Sequence, residues 1–455
     1  MIPNAFSAIK RSIIDPLFGD NLMRKYANEK SPLRSELYSS GQLQQHAVKL
    51  AKSHKLTEGE PSEHLLKRLA ENEAVLIEVH NLLTESVRIK KRIAPAGEWL
   101  LDNFYLIEEQ IYTGKKHLPK GYSKELPQLA KGQSQGLPRV YDIAVEIISH
   151  SDGRIDIKNL SAFINAYQTI TNLKLGELWA IPIMLRLALL ENLRRLATHI
   201  AVDILNQNLA NYWADAMTET AEKDPKNLVL VIADMARSNP PLDSSFVAEL
   251  MRRLQGKGSA LALPLSWIEQ RLSEHGLTSV ELVYRENQQQ ASAQMSISNS
   301  ISGLRFLNTT DWREFVESVS VVEQILREDI GGIYTSMDFL TRDRYRHIVE
   351  RVAKYSKLEE MQVAGMAIAM ARNNDDENNK KRSHIGYFLV GNGLCELESA
   401  TKARITVRDR CNKFFNKRPL LLYTAGIMLI SFLTTWFMLS KAHADGLHHW
   451  KIYVL

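Results

Sequence analysis

The sequence ELWAIPIMLRLALLENLRRLA, residues 177–197, carries the strongest core signal in the chain. Its apolar run is interrupted by Arg186 and is too short to cross a bilayer. An apolar stripe continues at helical spacing through Leu193 and Leu196. Because proline has no N–H to donate, Pro182 predicts that the helix starts or kinks there. The segment is therefore predicted to be the core helix of a mainly α-helical body.

Helical periodicity and helix-breaking residues divide the rest of the chain into further segments. We predict a peripheral helical arm at 1–95, a helical domain at 96–372, a polar linker at 373–383, a β-hairpin at 384–400, a basic juxtamembrane segment at 401–418, a transmembrane helix at 419–440 and a short periplasmic tail at 441–455. The hairpin prediction rests on HIGYFLV and LCELE, which flank Gly391-Asn392-Gly393, a pattern typical of a tight turn between strands.

The stretch PLLLYTAGIMLISFLTTWFMLS, residues 419–440, has no charged residue and is long enough for a helix to cross the roughly 30 Å hydrocarbon layer of a bilayer. Residues 402–418 contain seven Lys or Arg residues against one acid, and the positive-inside rule keeps that side in the cytoplasm. No secretory signal is recognisable at the N-terminus. The sequence thus predicts a single-pass membrane protein with a cytoplasmic N-terminal domain.

The formal net charge is +5, and much of the excess lies beside that apolar stretch. This placement favours the lipid bilayer and its anionic headgroups, contacted through residues 402–418, as partners, and nucleic acid is not expected. Two cysteines are too few for a disulfide framework or a cysteine zinc site. The histidines at 443, 448 and 449 have no supporting carboxylate or cysteine ligands, so neither a metal nor a cofactor is predicted in this chain.

Charged residues cluster in a segment with helical periodicity, and guanidinium groups there could bind a phosphate bidentately. The candidate contacts for a ligand or partner are Asp338, Arg342, Asp343, Arg344, Tyr345 and Arg346. A salt-bridged helix start explains the same residues equally well. No residue is predicted to be catalytic, since adjacent acids such as Glu108-Glu109 point in different directions on a helix.

A second group of residues is predicted to serve the core or the structure. It comprises Trp99, Trp179, Pro182, Arg186 and Trp312. The tryptophans fall on apolar faces or at helix starts, where core packing is the ordinary role and a platform for stacking sugars the rarer one. Arg186 is predicted to be a buried charge paired with an acid.

Six blocks of sequence, in order, resemble the N-terminal region of the cyclic β-1,2-glucan synthases, inner-membrane glycosyltransferases of Gram-negative bacteria. The blocks are EWLLDNFYLIEEQI (98–111), LPRVYDIAVEIISHSDGRID (137–156), LGELWAIPIMLRLALLENLRRLA (175–197), TDWREFVESVSVVEQIL (310–326), GIYTSMDFLTRDRYRHIVERVA (332–353) and HIGYFLVGNGLCELE (384–398). The resemblance implies a bacterial inner-membrane location and, in the intact family enzyme, transfer of glucose from UDP-glucose with a divalent metal.

The chain departs from that family's pattern because it contains no Asp-x-Asp pair to hold a metal against a diphosphate and no Gln-x-x-Arg-Trp motif. We therefore expect a truncated or fragmentary chain that lacks the catalytic domain and is inactive alone, with the remaining synthase domains as possible partners. The alternative is a membrane-anchored helical adaptor or scaffold without enzymatic activity.

Overall fold

The computed structural model describes residues 25–26, 30–57, 64–373, 382–403 and 419–444. The chain divides into two compact units, Met1–Ser320 and Val321–Leu455. The described residues are mainly helical, as predicted, and their only β contacts are the isolated bridges Leu56–Leu129 and Gln128–Pro138. The linker at 373–383, the basic segment at 401–418 and the tail at 441–455 lie largely outside the described residues.

The first unit consists of thirteen described α-helices. They are α1 (Ser40–Ser53), α2 (His64–Arg88), α3 (Pro95–Asp102), α4 (Phe104–His117), α5 (Tyr122–Glu125), α6 (Arg139–Ser151), α7 (Ile157–Gln168), α8 (Leu175–Lys223), α9 (Leu228–Ser238), α10 (Ser244–Leu254), α11 (Ala262–Glu274), α12 (Ser279–Thr309) and α13 (Trp312–Val319). Short 3-10 turns at Pro225–Asn227 and Ser259–Leu261 precede α9 and α11.

The central element is α8, a continuous helix of 49 residues that contains Pro182. At 1.5 Å per residue it is about 73 Å long. Its first part is apolar on every side, which is the pattern of a helix surrounded by protein, and it packs in one apolar cluster with helices α2, α4 and α6. From Ala210 onward it belongs to a second cluster with helices α9 to α11. The predicted core helix therefore forms and extends about 25 residues further.

A buried ion pair fixes the start of α8 to the start of α6. Arg139 donates from Nε and Nη2 to the two carboxylate oxygens of Glu177, both at 2.6 Å, and from Nη2 to the carbonyl of Asn172 at 2.8 Å. The side chains of Arg139 and Glu177 are 3% and 0% exposed. Glu177 also accepts from the backbone N–H of Lys174 at 2.9 Å, so the same carboxylate caps the helix. The fork geometry offsets part of the cost of burying two charges.

The turn that follows α6 and helix α12 approach each other through two glycines. A Cβ on Gly303 would lie 2.8 Å from the carbonyl oxygen of Gly153, and a Cβ on Gly153 would lie 3.2 Å from the backbone nitrogen of Ser300. Gly153 also has a φ of +79°, which a residue with a side chain rarely adopts. Only glycine allows this backbone-to-backbone contact.

The second unit contains seven described helices. They are α14 (Val321–Leu326), α15 (Ile333–Ser336), α16 (Phe339–Lys354), α17 (Glu360–Asn373), α18 (Ile385–Leu389), α19 (Leu394–Ala400) and α20 (Pro419–Ala444). A separate apolar cluster, formed by helices α14 to α19, is its core. Tyr334 and Val349 are completely buried in it.

The β-hairpin predicted at 384–400 is wrong, because helices α18 and α19 occupy that segment. Gly393 has a φ of −77°, whereas the turn of a two-residue hairpin needs positive φ values. The glycines are required by close packing instead. A Cβ on Gly391 would meet the carbonyl oxygen of Tyr387 at 2.8 Å, and one on Gly393 would meet the ring of Tyr387 at 2.6 Å.

The prediction for residues 419–440 also needs correction. The segment is helical as part of α20, whose side chains are described for residues 423–438 and 440–441. Among the residues that the structure describes, no helix combines the length and the apolar character that crossing a membrane requires. The structure therefore contradicts the predicted transmembrane helix.

Candidate functional site

The charged cluster predicted as a contact site begins at the N-terminus of α16 and continues along that helix. Asp338 is exposed at the N-cap position, where its carboxylate accepts a hydrogen bond from the Thr341 hydroxyl. That bond, together with nearby backbone N–H groups, holds the pKa of Asp338 below its usual value. Arg344 is also exposed, whereas Tyr345 is buried in the core of the second unit. The six predicted residues therefore do not share one surface.

The centre of this cluster is Glu323 on α14, which the sequence analysis did not single out. Its Oε2 accepts from Nη1 of Arg346 at 2.7 Å and from the hydroxyl of Tyr334 at 2.7 Å, and its Oε1 accepts from Nε of Arg327 at 2.9 Å. Glu323 and Arg346 are both completely buried. Burial and the adjacent Glu323 carboxylate raise the pKa of Tyr334 above its usual value.

Arg346 and Arg342 also face internal acceptors, whereas Arg344 is exposed. Arg346 also donates from Nη2 to Asp343 at 3.1 Å, and Arg342 donates from Nη1 to the carbonyl of Met337 at 2.8 Å. The Arg342 Nε lies 3.7 Å from Oε1 of Glu323. These contacts make the cluster an ionic network that joins α14, α15 and α16. Contact of its exposed members with a ligand or partner stays a prediction.

The residues predicted to serve the structure are all in the first unit. Trp179 and Trp312 pack against the main apolar cluster, and Trp312 donates from Nε1 to the carbonyl of Leu307 at 3.0 Å. Trp99 is 38% exposed. Arg186 is buried and donates to the side-chain oxygens of Gln110 at 2.8 Å and Asn308 at 3.2 Å. Burial lowers the pKa of Arg186, against the opposing effect of Glu109.

A cleft of about 850 Å³ opens in the first unit. Its floor is the part of α8 between the two apolar clusters, and its walls come from the end of α2, from α10 and from the start of α12. Amide, carboxylate and cationic side chains dominate the lining, which includes Lys91, Gln207, Asn208, Asn211, Asp215, Arg252, Arg253, Tyr284, Glu286, Asn287 and Gln290. Most lining residues are polar, yet apolar atoms contribute slightly more of the lining surface than polar atoms do, so the cleft offers both hydrogen-bonding groups and apolar contact.

Two nitrogen atoms in the cleft lining are shielded from solvent and have no hydrogen-bond acceptor in the structure. They are Nδ2 of Asn208 and Nε of Arg253. Asn208 uses its other atom, Oδ1, to accept from Nζ of Lys91 at 2.6 Å, and Arg253 uses Nη2 to bond Asp215. Tyr284, 62% exposed, adds an aromatic face at the edge of the cleft.

Asp203 lies on α8 beside the cleft, in a small cavity that shares Gln207 and Gln290 with it. Burial, the neighbouring carboxylate of Glu286 and, more weakly, Asp243 raise the pKa of Asp203 to about 7, against a hydrogen bond from Ser245 that lowers it. The folded protein therefore holds a proton on Asp203 at pH values where the unfolded chain has released it.

We expect this proton to make the free energy of unfolding decrease as the pH rises from about 4 to about 7, because the native state then binds more protons than the unfolded state. Asp203→Asn should remove this pH-dependent loss of stability and raise the free energy of unfolding by about 1–3 kcal/mol at pH 8 relative to the wild type. Urea unfolding of wild type and variant at pH 4, 6 and 8 measures it. Asp234→Asn, at a surface ion pair, is the control. A difference between Asp203→Asn and wild type that does not change with pH would contradict the assignment.

Comparison with curated proteins finds a relative over most of the chain. The sequence is 31% identical over 335 residues to the cyclic β-(1,2)-glucan synthase NdvB of Rhizobium meliloti (strain 1021). The match covers 73% of this chain. This chain is related to the cyclic β-(1,2)-glucan synthase family. The resemblance expected from the six sequence blocks is confirmed at this level.

The relation to the synthase covers only part of that protein. The matched region is 12% of the length of the Rhizobium enzyme, so the chain spans about an eighth of the relative that it matches. No protein-family model matches the chain. The comparison thus shows a relationship to the glucan synthase family, and what this region contributes to a synthase has to be argued from its structure.

Proposed function

We propose that this chain is a helical region of a cyclic β-(1,2)-glucan synthase that holds the glucan in its polar cleft and does not itself transfer glucose. The observation that carries the proposal is the cleft in the first unit, taken together with the relation to the synthase. The same relation favours a location at the bacterial inner membrane. The remaining synthase domains are its proposed partners.

The cleft has the chemistry that recognises a sugar polymer. Glucose hydroxyl groups both donate and accept, so they pair with side chains such as those of Asn208, Asn211 and Glu286. The exposed ring of Tyr284 offers an apolar face of the kind on which a sugar ring packs.

Glucosyl transfer needs a base for the acceptor, a metal or cation clamp for the diphosphate, and a fixed geometry between them. The sequence offers no Asp-x-Asp pair. The candidates for a cationic clamp on the diphosphate are Arg342 and Arg346. Both side chains face Glu323, and Arg346 is completely buried. These features favour a supporting role over a transferase role for this region.

We expect the purified chain to release no UDP from UDP-glucose above background in the presence of Mg²⁺ or Mn²⁺, because the residues that the structure describes do not bring together an acceptor base, a metal held against the diphosphate and a phosphate clamp. A coupled assay for UDP measures the rate, and a full-length cyclic glucan synthase is the positive control. Metal-dependent release that is abolished by Arg342→Ala would place transferase chemistry in the second unit and defeat the proposal.

Glucan binding tests the cleft directly. Isothermal titration with linear β-(1,2)-linked glucans should show binding that Tyr284→Ala weakens at least about fivefold, since a lost aromatic contact costs about 1 kcal/mol or more. Tyr105→Ala is the matched control, because Tyr105 is 63% exposed and lies away from the cleft lining. Equal loss of binding in both variants, or no binding by the wild type, would refute a glucan-holding cleft.

A further inference from the structure

Three side chains of the types that bind metal ions lie close together on two helices of the first unit. His46 lies on α1, and Glu146 and His150 lie four residues apart on one face of α6. Nε2 of His46 is 2.8 Å from Oε2 of Glu146, and Nε2 of His150 is 3.4 Å from the same oxygen. The three ligand atoms all lie within 4.8 Å of one another.

The distances of 2.8 and 3.4 Å are close to those between neighbouring ligand atoms around a coordinated metal ion. In a tetrahedral zinc site with bonds of about 2.0–2.1 Å, neighbouring ligand atoms are about 3.3 Å apart. Two imidazoles and one carboxylate are a frequent ligand set for zinc and for other divalent transition metals. His46, Glu146 and His150 are 22%, 29% and 10% exposed, so a fourth position can be taken by water.

The surroundings of His150 determine which of its nitrogens is available. Its Nδ1 lies 2.8 Å from the backbone carbonyl oxygen of Glu36, which can only accept, so Nδ1 carries the proton. The ring is also stacked on Tyr38 at 4.0 Å between centroids. A hydrogen bond from the second ring nitrogen to a backbone carbonyl is the usual way in which proteins orient a metal-binding histidine.

This orientation determines which kind of partner the Nε2 atom of His150 needs. In the neutral ring with its proton on Nδ1, Nε2 presents a lone pair toward the carboxylate of Glu146, and two acceptors then face each other at 3.4 Å. A cation between them would satisfy both. The segment that supplies Glu36 and Tyr38 is fixed to the end of α6 by hydrogen bonds from the backbone N–H groups of Ser35 and Tyr38 to the carbonyls of Ser149 and His150.

We propose that His46, Glu146 and His150 form a binding site for a divalent transition metal, zinc being the best match, that joins α1 to α6. The proposal is independent of the glucan-holding role, because the three residues do not line the cleft. The metal would connect positions separated by 100 residues in the chain. Binding would therefore stabilise the folded first unit over the unfolded chain, which has no preformed site.

The test uses the full chain, without an affinity tag, freed of metal by chelation. The chain is titrated with Co²⁺, followed by visible absorption, and with Zn²⁺, followed by calorimetry. Both titrations should show one metal site. We expect His46→Gln and His150→Gln each to lower its affinity for metal by more than about 100-fold, since even the loss of a residue that only supports a ligand typically costs 10–100-fold. Zn²⁺ should also raise the melting temperature of the wild type and leave that of the two variants unchanged.

His54→Gln is the matched control. His54 directly follows the last residue of α1, two turns after His46, and contacts Asp142 at 3.0 Å and Tyr167 at 2.8 Å, so it shares the environment without being a proposed ligand. This variant should bind metal as the wild type does. If metal binds equally to wild type and to the His46 and His150 variants, or does not bind to the wild type at 100 μM, the proposal is refuted and His150 with Glu146 is an ordinary ion pair.

Discussion

Glu177→Gln is expected to lower the free energy of unfolding of the first unit by about 3–5 kcal/mol, the typical cost of leaving one member of a buried ion pair without its partner. Glutamine keeps the volume of the side chain but removes the charge that compensates Arg139, which is 3% exposed. It also weakens the contact to the N–H of Lys174 that caps α8. Urea unfolding followed by tryptophan fluorescence measures the change.

Two further variants make this prediction specific. Glu249→Gln, at a partly exposed pair with Arg252, should change stability by less than about 1 kcal/mol, because the guanidinium it leaves behind is half-exposed to solvent. The double variant Arg139→Met with Glu177→Leu should recover much of the loss, because it removes both buried charges. If Glu177→Gln proves no more destabilising than Glu249→Gln, the pair contributes little and the start of α8 is fixed by apolar packing alone.

Glu323→Gln is expected to have an effect of similar size, about 3–5 kcal/mol, on the second unit. The carboxylate accepts hydrogen bonds from Arg346, Tyr334 and Arg327, and Arg346 is completely buried. Without the negative charge, the guanidinium of Arg346 loses its charged contact at 2.7 Å, while that with Asp343 at 3.1 Å remains. Hydrogen exchange of the backbone amides in α14 and α16 reports the loss of stability locally.

The control for Glu323 is Glu396→Gln. Glu396 lies 3.6 Å from Arg382 in a pair whose side chains are 45% and 41% exposed, and its replacement should leave exchange within about 0.5 kcal/mol of the wild type. Slower exchange in α16 of the Glu323 variant would contradict the expectation and would mean that the buried charges cost more than their pairing returns.

The helical class of the chain was predictable because apolar residues at helical spacing recur along almost its whole length. The helix at 177–197 shows the limit of that reasoning. Periodicity placed it in the core, but the sequence did not indicate that it continues through Pro182 and on to Lys223. The packing of neighbouring helices stabilises a helix that the proline alone would interrupt.

The hairpin prediction failed because glycine has two structural uses that look identical in a sequence. Gly-Asn-Gly was interpreted as a turn that needs positive φ, whereas Gly391 and Gly393 provide room for Tyr387 between two short helices. Distinguishing these uses requires knowing what packs against the glycine.

The candidate sites show the same dependence on long-range contacts. Arg342 and Arg346 were recognised as a cluster, yet their main acceptor, Glu323, comes from an earlier block in which nothing marked it. The cleft collects residues from four helices and has no local signature. Glu146 and His150, by contrast, have the i, i+4 spacing of helical metal ligands, and this signal could have been noticed, although their partner His46 lies 100 residues earlier.

The length of α8 has a consequence for how the cleft binds. The lining residues from Ile204 to Asp215 belong to one uninterrupted helix that is anchored in an apolar cluster on each side. Widening the floor would require breaking backbone hydrogen bonds within that helix. A ligand therefore meets a surface that is already ordered, and little of its interaction energy is lost in immobilising the protein. Adjustment to different ligands is left to the long side chains of the walls, such as those of Arg252 and Arg253.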